Sequence, residues 1–454
     1  MSAHLVTEED VRRAYETDAS GLYLRPDAVA RPSTVAEVGA ILRDAAASQI
    51  SVTPAGAQTS TTGASICDHG ILLSLGALDD IDVDVAGGVV RVGPGARVAD
   101  VKRAAAHERL FLACDPTSEE ECTIGGAIAC NASGARSLKY GPVRAHVRAL
   151  RVVLADGRLI DVRRSELEKN TAGYALAQNP IDWFIGSEGT LGVVIQAELG
   201  LLPLPTSVVG LAVPFASEKA ALAFVVAARE CASVHPRCIE YFDSLALGIA
   251  RSADDQSRWA PAAAAFVYVE QELGESDRDI VLDRWLALAE LHEAYDDLRV
   301  FEGNAELRHA REMRHAVPST MNERGARWRT EGGRKVSTDW AVPYHRLAEA
   351  ITAARAIARK CGVEPVIYGH AGNGHPHQNF IARNLAEASS IETAIEETLR
   401  MVISMGGTVA AEHGIGKLKR KWLPLQMTNL QISVMRAVKR ELDPSGILAP
   451  GNIF

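Results

Sequence analysis

Three segments rich in glycine and other small residues dominate the first half of the sequence. They cover 54–63 (PAGAQTSTTG), 114–141 (CDPTSEEECTIGGAIACNASGARSLKYG) and 184–194 (FIGSEGTLGVV). Loops of small residues let backbone N–H groups approach a phosphate closely. The first segment alone is equally well explained as an ordinary tight connection, but three in one region favour a binding site. None has the GxGxxG spacing of a strand–loop–helix unit, which argues against a Rossmann site for a dinucleotide.

Short apolar runs alternate with glycine turns from 28 to 204. Their β-branched residues and flanking turns predict strands at 50–54, 70–75, 88–95, 147–157 and 191–205. Apolar residues at helical spacing predict two helices among these strands. One covers 34–47 with Ser33 as its N-cap, and the other covers 98–107.

The pattern changes after 205 to alternating helices and strands, which predicts an α+β domain. The predicted elements are a helix at 218–230, strands within 238–245 and 263–272, and helices within 279–295 and 349–362. The last of these helices is expected to end at Gly362, a C-cap residue. The tail from 406 onward carries its own motif and is expected to return to the first domain.

Composition and charge describe a globular protein of two or three domains. The chain has 454 residues, of which 47% are hydrophobic and 23% charged, whereas one domain holds ~100–200 residues. A net charge of −9 argues against nucleic-acid binding. The polar N-terminus predicts no targeting peptide, and no apolar run reaches the ~20 residues of a membrane span. Seven scattered cysteines predict free thiols and a cytoplasmic protein, with peripheral membrane association as the alternative.

Three histidines surround one predicted turn in the segment 366–379 (VIYGHAGNGHPHQN): His370, His375 and His377. A strand, a Gly/Asn turn and a second strand would bring such imidazoles toward one ion. Zinc-type sites use two or three histidines and a carboxylate, with one position open for substrate. The candidate carboxylate is Glu412, which precedes His413 in the segment AAEHGIGKLKR. A lone histidine is more often structural, but this grouping favours a metal site.

The three glycine-rich segments resemble the FAD-binding domain of the vanillyl-alcohol oxidase/p-cresol methylhydroxylase superfamily. The resemblance rests on PAGxxTS, CTIGGxIAxNASGxRSLKYG and GSEGTLG and covers 20–205. It implies an α+β protein with a two-subdomain FAD-binding domain, an α+β substrate or cap domain and a C-terminal helical segment. Ala57 and Gln58 replace glycines of the family pattern, so we expect backbone angles there that a Cβ allows. The first loop holds no histidine, so the FAD is expected to be non-covalent.

The same resemblance implies a set of FAD-binding residues. The first loop would bind the pyrophosphate through backbone amides, and the other two would pack along the ribityl chain and the adenosine. The implied residues are Pro54, Ala55, Gly56, Ala57, Gln58, Thr59, Ser60, Pro116, Thr117, Thr123, Gly125, Gly126, Asn131, Ser133, Gly134, Tyr140, Gly141, Ser187, Glu188, Gly189, Thr190, Val193 and Asn452.

The second half resembles the type 4 FAD-linked oxidases, which include D-lactate, glycolate-oxidase-subunit and D-2-hydroxyglutarate dehydrogenases. GHAGNGHPH resembles GHxGDGNxH, AEHGIG resembles GEHGIG, and LDPSGILAPGNIF resembles LDPxGILNPGKIF. The resemblance implies His370, His377 and Glu412 as ligands of a divalent metal. Zinc is expected, with manganese and iron as alternatives. His375 replaces an asparagine of the pattern, so it would be a further ligand or a substrate contact.

The resemblance implies an FAD-dependent dehydrogenase that oxidises a D-2-hydroxy acid. FAD takes the hydride, a metal lowers the pKa of the substrate hydroxyl, and His413, as catalytic base, takes its proton. Arg314 and Lys335 would bind the carboxylate, although the Arg-rich segment around Arg314 is equally typical of a solvated helix face. Two alternatives are a flavin-dependent ether-lipid-synthase-like transferase and a non-catalytic flavin-binding subunit of a glycolate-oxidase-like complex. The Glu412–His413 pair favours the dehydrogenase.

The expected domains are 20–205 for FAD, 206–405 for substrate, and 406–454 as a C-terminal segment packing near the flavin. The expected partners are a small 2-hydroxy acid and an external electron acceptor, namely a quinone, a cytochrome or an electron-transfer flavoprotein. A homodimer is the expected assembly.

Overall fold

The chain passes back and forth between two compact units. The computed structural model describes residues 5–252 and 259–454, so the first four residues of the predicted polar N-terminus lie outside the described part. Unit 1 combines the chain before Ala135 with Gly141–Leu204 and Glu412–Phe454. Unit 2 combines Ala135–Tyr140 with Pro205–Ala411. The second glycine-rich segment is therefore shared, and the chain re-enters unit 1 at Glu412 rather than at 406.

Unit 1 contains three sheets. Its strands are β1 (Leu5–Val6), β2 (Ala28–Ala30), β3 (Val52–Ala55), β4 (Ile71–Ser74), β5 (Ile81–Asp84), β6 (Val89–Val92), β7 (Leu110–Phe111), β8 (Val147–Val153), β9 (Leu159–Arg163), β10 (Val193–Gly200) and β11 (Leu202–Pro203). The orders are β1-β2-β4-β3, β5-β6-β10-β8-β9 and β11-β7. In the first sheet β2 and β3 run parallel to β4, whereas the five-stranded sheet is antiparallel throughout. The five-stranded sheet has a core of its own and also contributes Val153, Val193 and Ile195 to the core of the four-stranded sheet.

The α-helices alternate with these strands and with those of unit 2. In chain order they are α1 (Glu9–Ala14), α2 (Val35–Ala47), α3 (Val98–His107), α4 (Ile124–Cys130), α5 (Ser137–Tyr140), α6 (Ala175–Gln178), α7 (Ile181–Phe184), α8 (Glu218–Glu230), α9 (Ser244–Ser252), α10 (Arg278–Leu291), α11 (Gly303–Ala326), α12 (Leu347–Lys360), α13 (Leu385–Ser404), α14 (Leu423–Gln426) and α15 (Asn429–Leu442). Short 3₁₀ turns lie at Val143–Ala145, Arg329–Glu331, Tyr344–Arg346, Ala371–Asn373 and Arg420–Trp422. Among the described residues, none of these helices has the length and apolar character that crossing a bilayer requires.

The predicted helices at 98–107 and 218–230 are confirmed to the residue. The N-cap predicted for α2 is wrong. Thr34, not Ser33, caps this helix, because Thr34 has extended backbone angles and its hydroxyl accepts the Glu37 N–H at 3.3 Å. Ser33 lies one residue earlier, and its own N–H donates to the Glu37 carboxylate at 2.7 Å. Gly362 follows the end of α12 with a left-handed φ of +73°, as a C-terminal glycine should.

The C-terminal segment of unit 1 packs against the first sheet. The Val52 N–H donates to Ile447 O, and the Ala449 N–H donates to Val52 O, both at 2.8 Å. Ile447 and Leu448 are buried in the same core as Leu42 and Leu73. The expected return of the tail to the first domain therefore rests on backbone pairing and apolar burial.

Unit 2 is built on one seven-stranded antiparallel sheet. Its strands are β12 (Val208–Phe215), β13 (Pro236–Phe242), β14 (Ala265–Glu272), β15 (Arg299–Glu302), β16 (Gly332–Thr338), β17 (Val366–His370) and β18 (His375–Asn384), in the order β15-β12-β14-β13-β17-β18-β16. Residues directly opposite each other on antiparallel strands point to the same face. Phe242 pairs with Phe266 and with Tyr368, and these side chains form a core with Met313 and Val317 of α11. One face of the sheet is therefore covered by α11.

Candidate active site

The first glycine-rich loop forms one wall of a cleft in unit 1. The cleft has a volume of about 370 Å³ and is lined by Gly56, Ala57, Gly76, Gly95, Arg97, Glu120, Glu121 and Thr123. A Cβ at Gly56 would lie 2.2 Å from Thr123 Oγ1, so only glycine fits against the start of α4. Clefts of ~300–1,000 Å³ are typical of cofactor sites. Small residues on its walls suit a phosphate-bearing group.

Gln58 adopts a left-handed φ of +54°, a region that residues with a Cβ enter uncommonly and that the family's glycine would enter freely. Its side chain compensates, because Nε2 donates to Tyr15 O at 3.0 Å and to Ser65 O at 3.3 Å. These side-chain hydrogen bonds therefore help Gln58 to hold a left-handed backbone conformation that glycine usually adopts.

The second glycine-rich segment contains α4, which sequence analysis missed. Thr123 caps this helix by accepting the Gly126 N–H at 3.3 Å. Asn131 ends it with a left-handed φ of +51° and accepts the Arg144 N–H at 3.1 Å. A Cβ at Gly134 would lie 2.0 Å from Asp115 O, so this glycine is required for packing. Tyr140, predicted with the flavin residues, lies in α5 of unit 2.

The third glycine-rich segment holds the loop that carries His413. The Glu188 carboxylate accepts the N–H groups of Ile415 at 2.6 Å and Gly416 at 2.8 Å. Burial raises the pKa of Glu188 above its ordinary value, and these two amides oppose the shift. A Cβ at Gly414 would lie 2.5 Å from Glu188 Oε1. The loop after His413 is therefore closed around one buried carboxylate.

Asn452 joins three segments of unit 1. Its Nδ2 donates to Ala64 O at 2.8 Å and to Glu188 O at 3.1 Å. Its Oδ1 accepts from Lys417 Nζ at 2.8 Å. The side chain of Val193, another predicted flavin residue, is 1% exposed. The side chains of Asn452 and Val193 therefore both lie in the interior of unit 1.

Unit 2 brings the three predicted histidines together on one face of its sheet. His370 on β17 lies directly opposite His375 on β18, and Tyr368 lies opposite His377. The ring centroids are 5.3 Å apart for His370–His375, 5.3 Å for His370–His377 and 4.7 Å for His375–His377. Imidazole rings at this spacing can direct nitrogens toward one divalent cation of the zinc, manganese or iron type. Glu412 and His413, the other predicted members, begin the last segment of unit 1.

A buried carboxylate that sequence analysis missed binds both His370 and Arg314. Glu240 Oε1 lies 2.7 Å from His370 Nδ1, and Glu240 Oε2 lies 2.7 Å from Arg314 Nε. Arg314 Nη2 also lies 3.4 Å from each ring nitrogen of His370. The available sequence signal was an acidic residue inside the apolar run CIEYF, which is costly in a core unless it is paired.

Lys335, the second predicted substrate cation, lies on β16 opposite Ile381. Its Nζ donates to Asn322 Oδ1 of α11 at 2.9 Å. Burial lowers the pKa of Lys335 to about 8, because desolvation disfavours the ammonium form. This amine therefore changes charge in a mildly alkaline range.

A second buried carboxylate, Glu270 on β14, lies among arginines. Its Oε2 is 2.6 Å from Arg237 Nε and 3.3 Å from Arg136 Nε, and its Oε1 accepts the Tyr268 hydroxyl at 2.9 Å. Burial raises the pKa of Glu270, but Arg136, Arg237 and Arg311 more than offset this and lower it to about 2. Glu270 is therefore a buried anion in a cluster of cations.

Comparisons with known proteins agree with these features. Residues 204–453 match the C-terminal domain of FAD linked oxidases, and residues 26–163 match an FAD binding domain. The chain belongs to the FAD-linked oxidases. The expected family, and the expected α+β architecture with an FAD-binding domain of the vanillyl-alcohol oxidase type, are confirmed.

Relatives of this FAD-linked oxidase include dehydrogenases and oxidase subunits. It is 31% identical to the glycolate oxidase subunit GlcD of Bacillus subtilis over 450 residues, which cover 98% of this chain and 92% of the relative. It is 31% identical to a D-lactate dehydrogenase of Archaeoglobus fulgidus over 451 residues, covering 97% and 95% of the two chains. A solved alkyldihydroxyacetonephosphate synthase matches with a TM-score of 0.75 at 16% identity, covering 99% of this chain and 82% of that one. The last likeness shows a shared fold.

Proposed function

We propose that this FAD-linked oxidase is a dehydrogenase that oxidises a D-2-hydroxy acid to the 2-oxo acid. The observation that carries the proposal is the grouping of His370, His375 and His377 on one face of the unit 2 sheet. Such a group suits a metal that binds a substrate hydroxyl. The names of the relatives, glycolate oxidase subunit and D-lactate dehydrogenase, support the same substrate class.

The proposed metal ligands are His370, His377 and Glu412, and zinc is the proposed metal, with manganese or iron as alternatives. The ring spacing of the histidines supports the first two ligands. Glu412 is proposed from its motif, since a carboxylate completes a common set of two histidines and an acid. His375 would contact substrate or bind the same metal.

The proposed FAD site is the 370 Å³ cleft of unit 1, which residues of the first two glycine-rich segments line, together with the third segment. Backbone amides of 55–60 would bind the pyrophosphate, since Gly56 and the left-handed Gln58 shape this loop. Residues of the second and third segments would pack along the rest of the cofactor. A backbone cradle of this kind binds FAD non-covalently.

When bound, FAD would supply a hydride acceptor for the substrate carbon, and a divalent cation would lower the pKa of the substrate hydroxyl. His413 takes the hydroxyl proton on its imidazole, the side chain that most often serves as a general base. Arg314 and Lys335 orient the substrate carboxylate. The ion pair between Arg314 and Glu240 holds the guanidinium beside His370, which supports this role.

An anaerobic absorption spectrum of the purified protein tests the proposal. The flavin band should bleach on addition of one D-2-hydroxy acid from a panel of D and L acids, and the matching L acid should leave it unchanged. A flavin band that no acid bleaches would contradict the dehydrogenase and favour a transferase or a partner subunit. The reoxidation rate with a quinone, a cytochrome or an electron-transfer flavoprotein then identifies the class of external acceptor.

A further inference from the structure

We infer that Glu240 is a positioning residue for the metal site: it holds the imidazole of His370 with Nδ1–H toward the carboxylate and Nε2 toward the metal. The inference rests on the proposed function, since it assigns a role in metal binding. The geometry that carries it is the 2.7 Å contact between Glu240 Oε1 and His370 Nδ1, two side chains that are 1% and 2% exposed.

The strand register sets this contact. Tyr241 pairs with Gly369 and Phe242 with Tyr368, and Glu240 and His370 are the residues directly beyond the Tyr241–Gly369 pair on their strands. His370 in turn lies opposite His375 on the other side of β17. Glu240, His370 and His375 therefore form a row across three adjacent strands. A backbone ladder, rather than a flexible loop, determines the position of the carboxylate.

The chemistry of imidazole explains what the carboxylate does. A neutral imidazole has one N–H and one lone pair, and the group bound at one nitrogen decides which nitrogen carries the proton. A carboxylate at Nδ1 selects the Nδ1–H form, directs the Nε2 lone pair outward and raises its basicity. Because both side chains are buried, water competes poorly for this contact.

Arg314 stabilises the buried carboxylate of Glu240. An isolated anion in a core is strongly unfavourable, but Arg314 Nε lies 2.7 Å from Glu240 Oε2 and balances its charge. The two carboxylate oxygens thus have separate contacts, Oε1 with the histidine and Oε2 with the arginine. The sequence predicts Arg314 as a cation that binds the substrate carboxylate. The contact with Glu240 adds a second role, because the arginine supports the residue that orients a metal ligand.

Glu270 provides a matched control. Glu270 is 2% exposed and lies on β14, opposite Cys238 of β13, the strand that carries Glu240. It is bonded to Arg136, Arg237 and Tyr268. Glu270→Gln removes a buried carboxylate from two arginines, as Glu240→Gln removes one from Arg314. A role limited to buried ion pairing predicts that both substitutions act alike on metal binding. A positioning role predicts that only Glu240→Gln weakens it.

The experiment measures Zn²⁺ affinity by chelator competition in the FAD-loaded parent, Glu240→Gln and Glu270→Gln proteins, with flavin content checking the fold. We expect Glu240→Gln to weaken Zn²⁺ binding about 10–100-fold. Glu270→Gln should change Zn²⁺ affinity by less than about twofold, which is well below the effect of losing a residue that orients a ligand. Equal affinities for parent and Glu240→Gln, or equal losses in both variants, would overturn the inference. A parent protein that binds no divalent cation would instead contradict the proposed function.

A second measurement observes the parent protein and does not depend on a Glu240 variant that folds. ¹⁵N-labelled histidine spectra of the zinc-loaded protein, assigned with His370→Gln, report which ring nitrogen of His370 carries the proton. A proton on Nδ1 supports the inference, and a proton on Nε2 overturns it.

Discussion

Glu188 accepts the backbone N–H of Gly416 at 2.8 Å, although 228 residues separate the two in the chain. The same carboxylate accepts the N–H of Ile415 at 2.6 Å. These bonds join the third glycine-rich segment to the loop that follows His413. The position of His413, the proposed base, therefore depends on Glu188, which lies in a different segment of the chain.

Gly414→Ala should disrupt this loop. Gly414 has a φ of +74°, and an added Cβ would lie 2.5 Å from Glu188 Oε1. Gly446→Ala is the matched control, because Gly446 has a φ of +68° but nothing within 4 Å of its ideal Cβ. Both variants should lose about 1–2 kcal/mol for a left-handed alanine. Only Gly414→Ala should also slow flavin reduction, by at least about 10-fold, the equivalent of a further ~1.4 kcal/mol, in stopped-flow measurements. Similar reduction rates in both variants would show that the Glu188 contact does not affect catalysis.

His413→Ala should retain FAD and lose flavin reduction by about 10²–10⁴-fold, because the substrate proton then lacks its acceptor. The Thr62 hydroxyl donates to the backbone oxygen of His413 at 3.4 Å, and truncating the imidazole leaves that bond in place. His107→Ala is the control, since its side chain is 86% exposed on α3. A His413→Ala protein that reduces flavin at the parent rate would exclude this residue as the base.

The binding of the acid should weaken as pH rises through about 8. Burial lowers the pKa of Lys335 to about 8, so the amine is charged below that pH and neutral above it. A neutral amine no longer attracts a carboxylate, so kcat/KM should fall across this range while kcat changes less. Lys335→Met should have a low kcat/KM without this step. Lys335→Arg should keep the charge and also lack the step. A step of the same size in Lys335→Met would assign it to another group.

Glu270 should stabilise the protein at neutral pH and lose this effect in acid. Its pKa is about 2 in the fold against an ordinary value of 4.5. The stabilisation is therefore complete above about 4.5 and is lost as pH falls through about 2. Glu270→Gln leaves Arg136 and Arg237 without their buried anion and should cost about 3–5 kcal/mol at pH 7. The difference in unfolding free energy between parent and variant should shrink from pH 5 to pH 2 in denaturant titrations. A constant difference would contradict this linkage.

Local patterns in the sequence determined the family, the α+β architecture and the positions of many elements. Helical spacing located α3 and α8 to the residue, and the histidine-rich segment was correctly interpreted as a strand, a turn and a strand. These features depend on residues near each other in the chain, which local propensity and periodicity report directly. Where a short helix lay inside a glycine-rich segment, as α4 does, the small residues concealed it.

Only the tertiary structure decided which distant residues share a site. Glu240 meets His370 because β13 lies beside β17, although 130 residues separate them. Gln58 takes a left-handed backbone because Tyr15 and Ser65 offer carbonyl oxygens to its side chain. Residues 135–140 belong to unit 2, although they continue a glycine-rich segment of unit 1. The physical reason is common to all three. Apolar periodicity in the sequence determines which face of a strand is buried, whereas the neighbouring strands and the register depend on the packing of the whole unit.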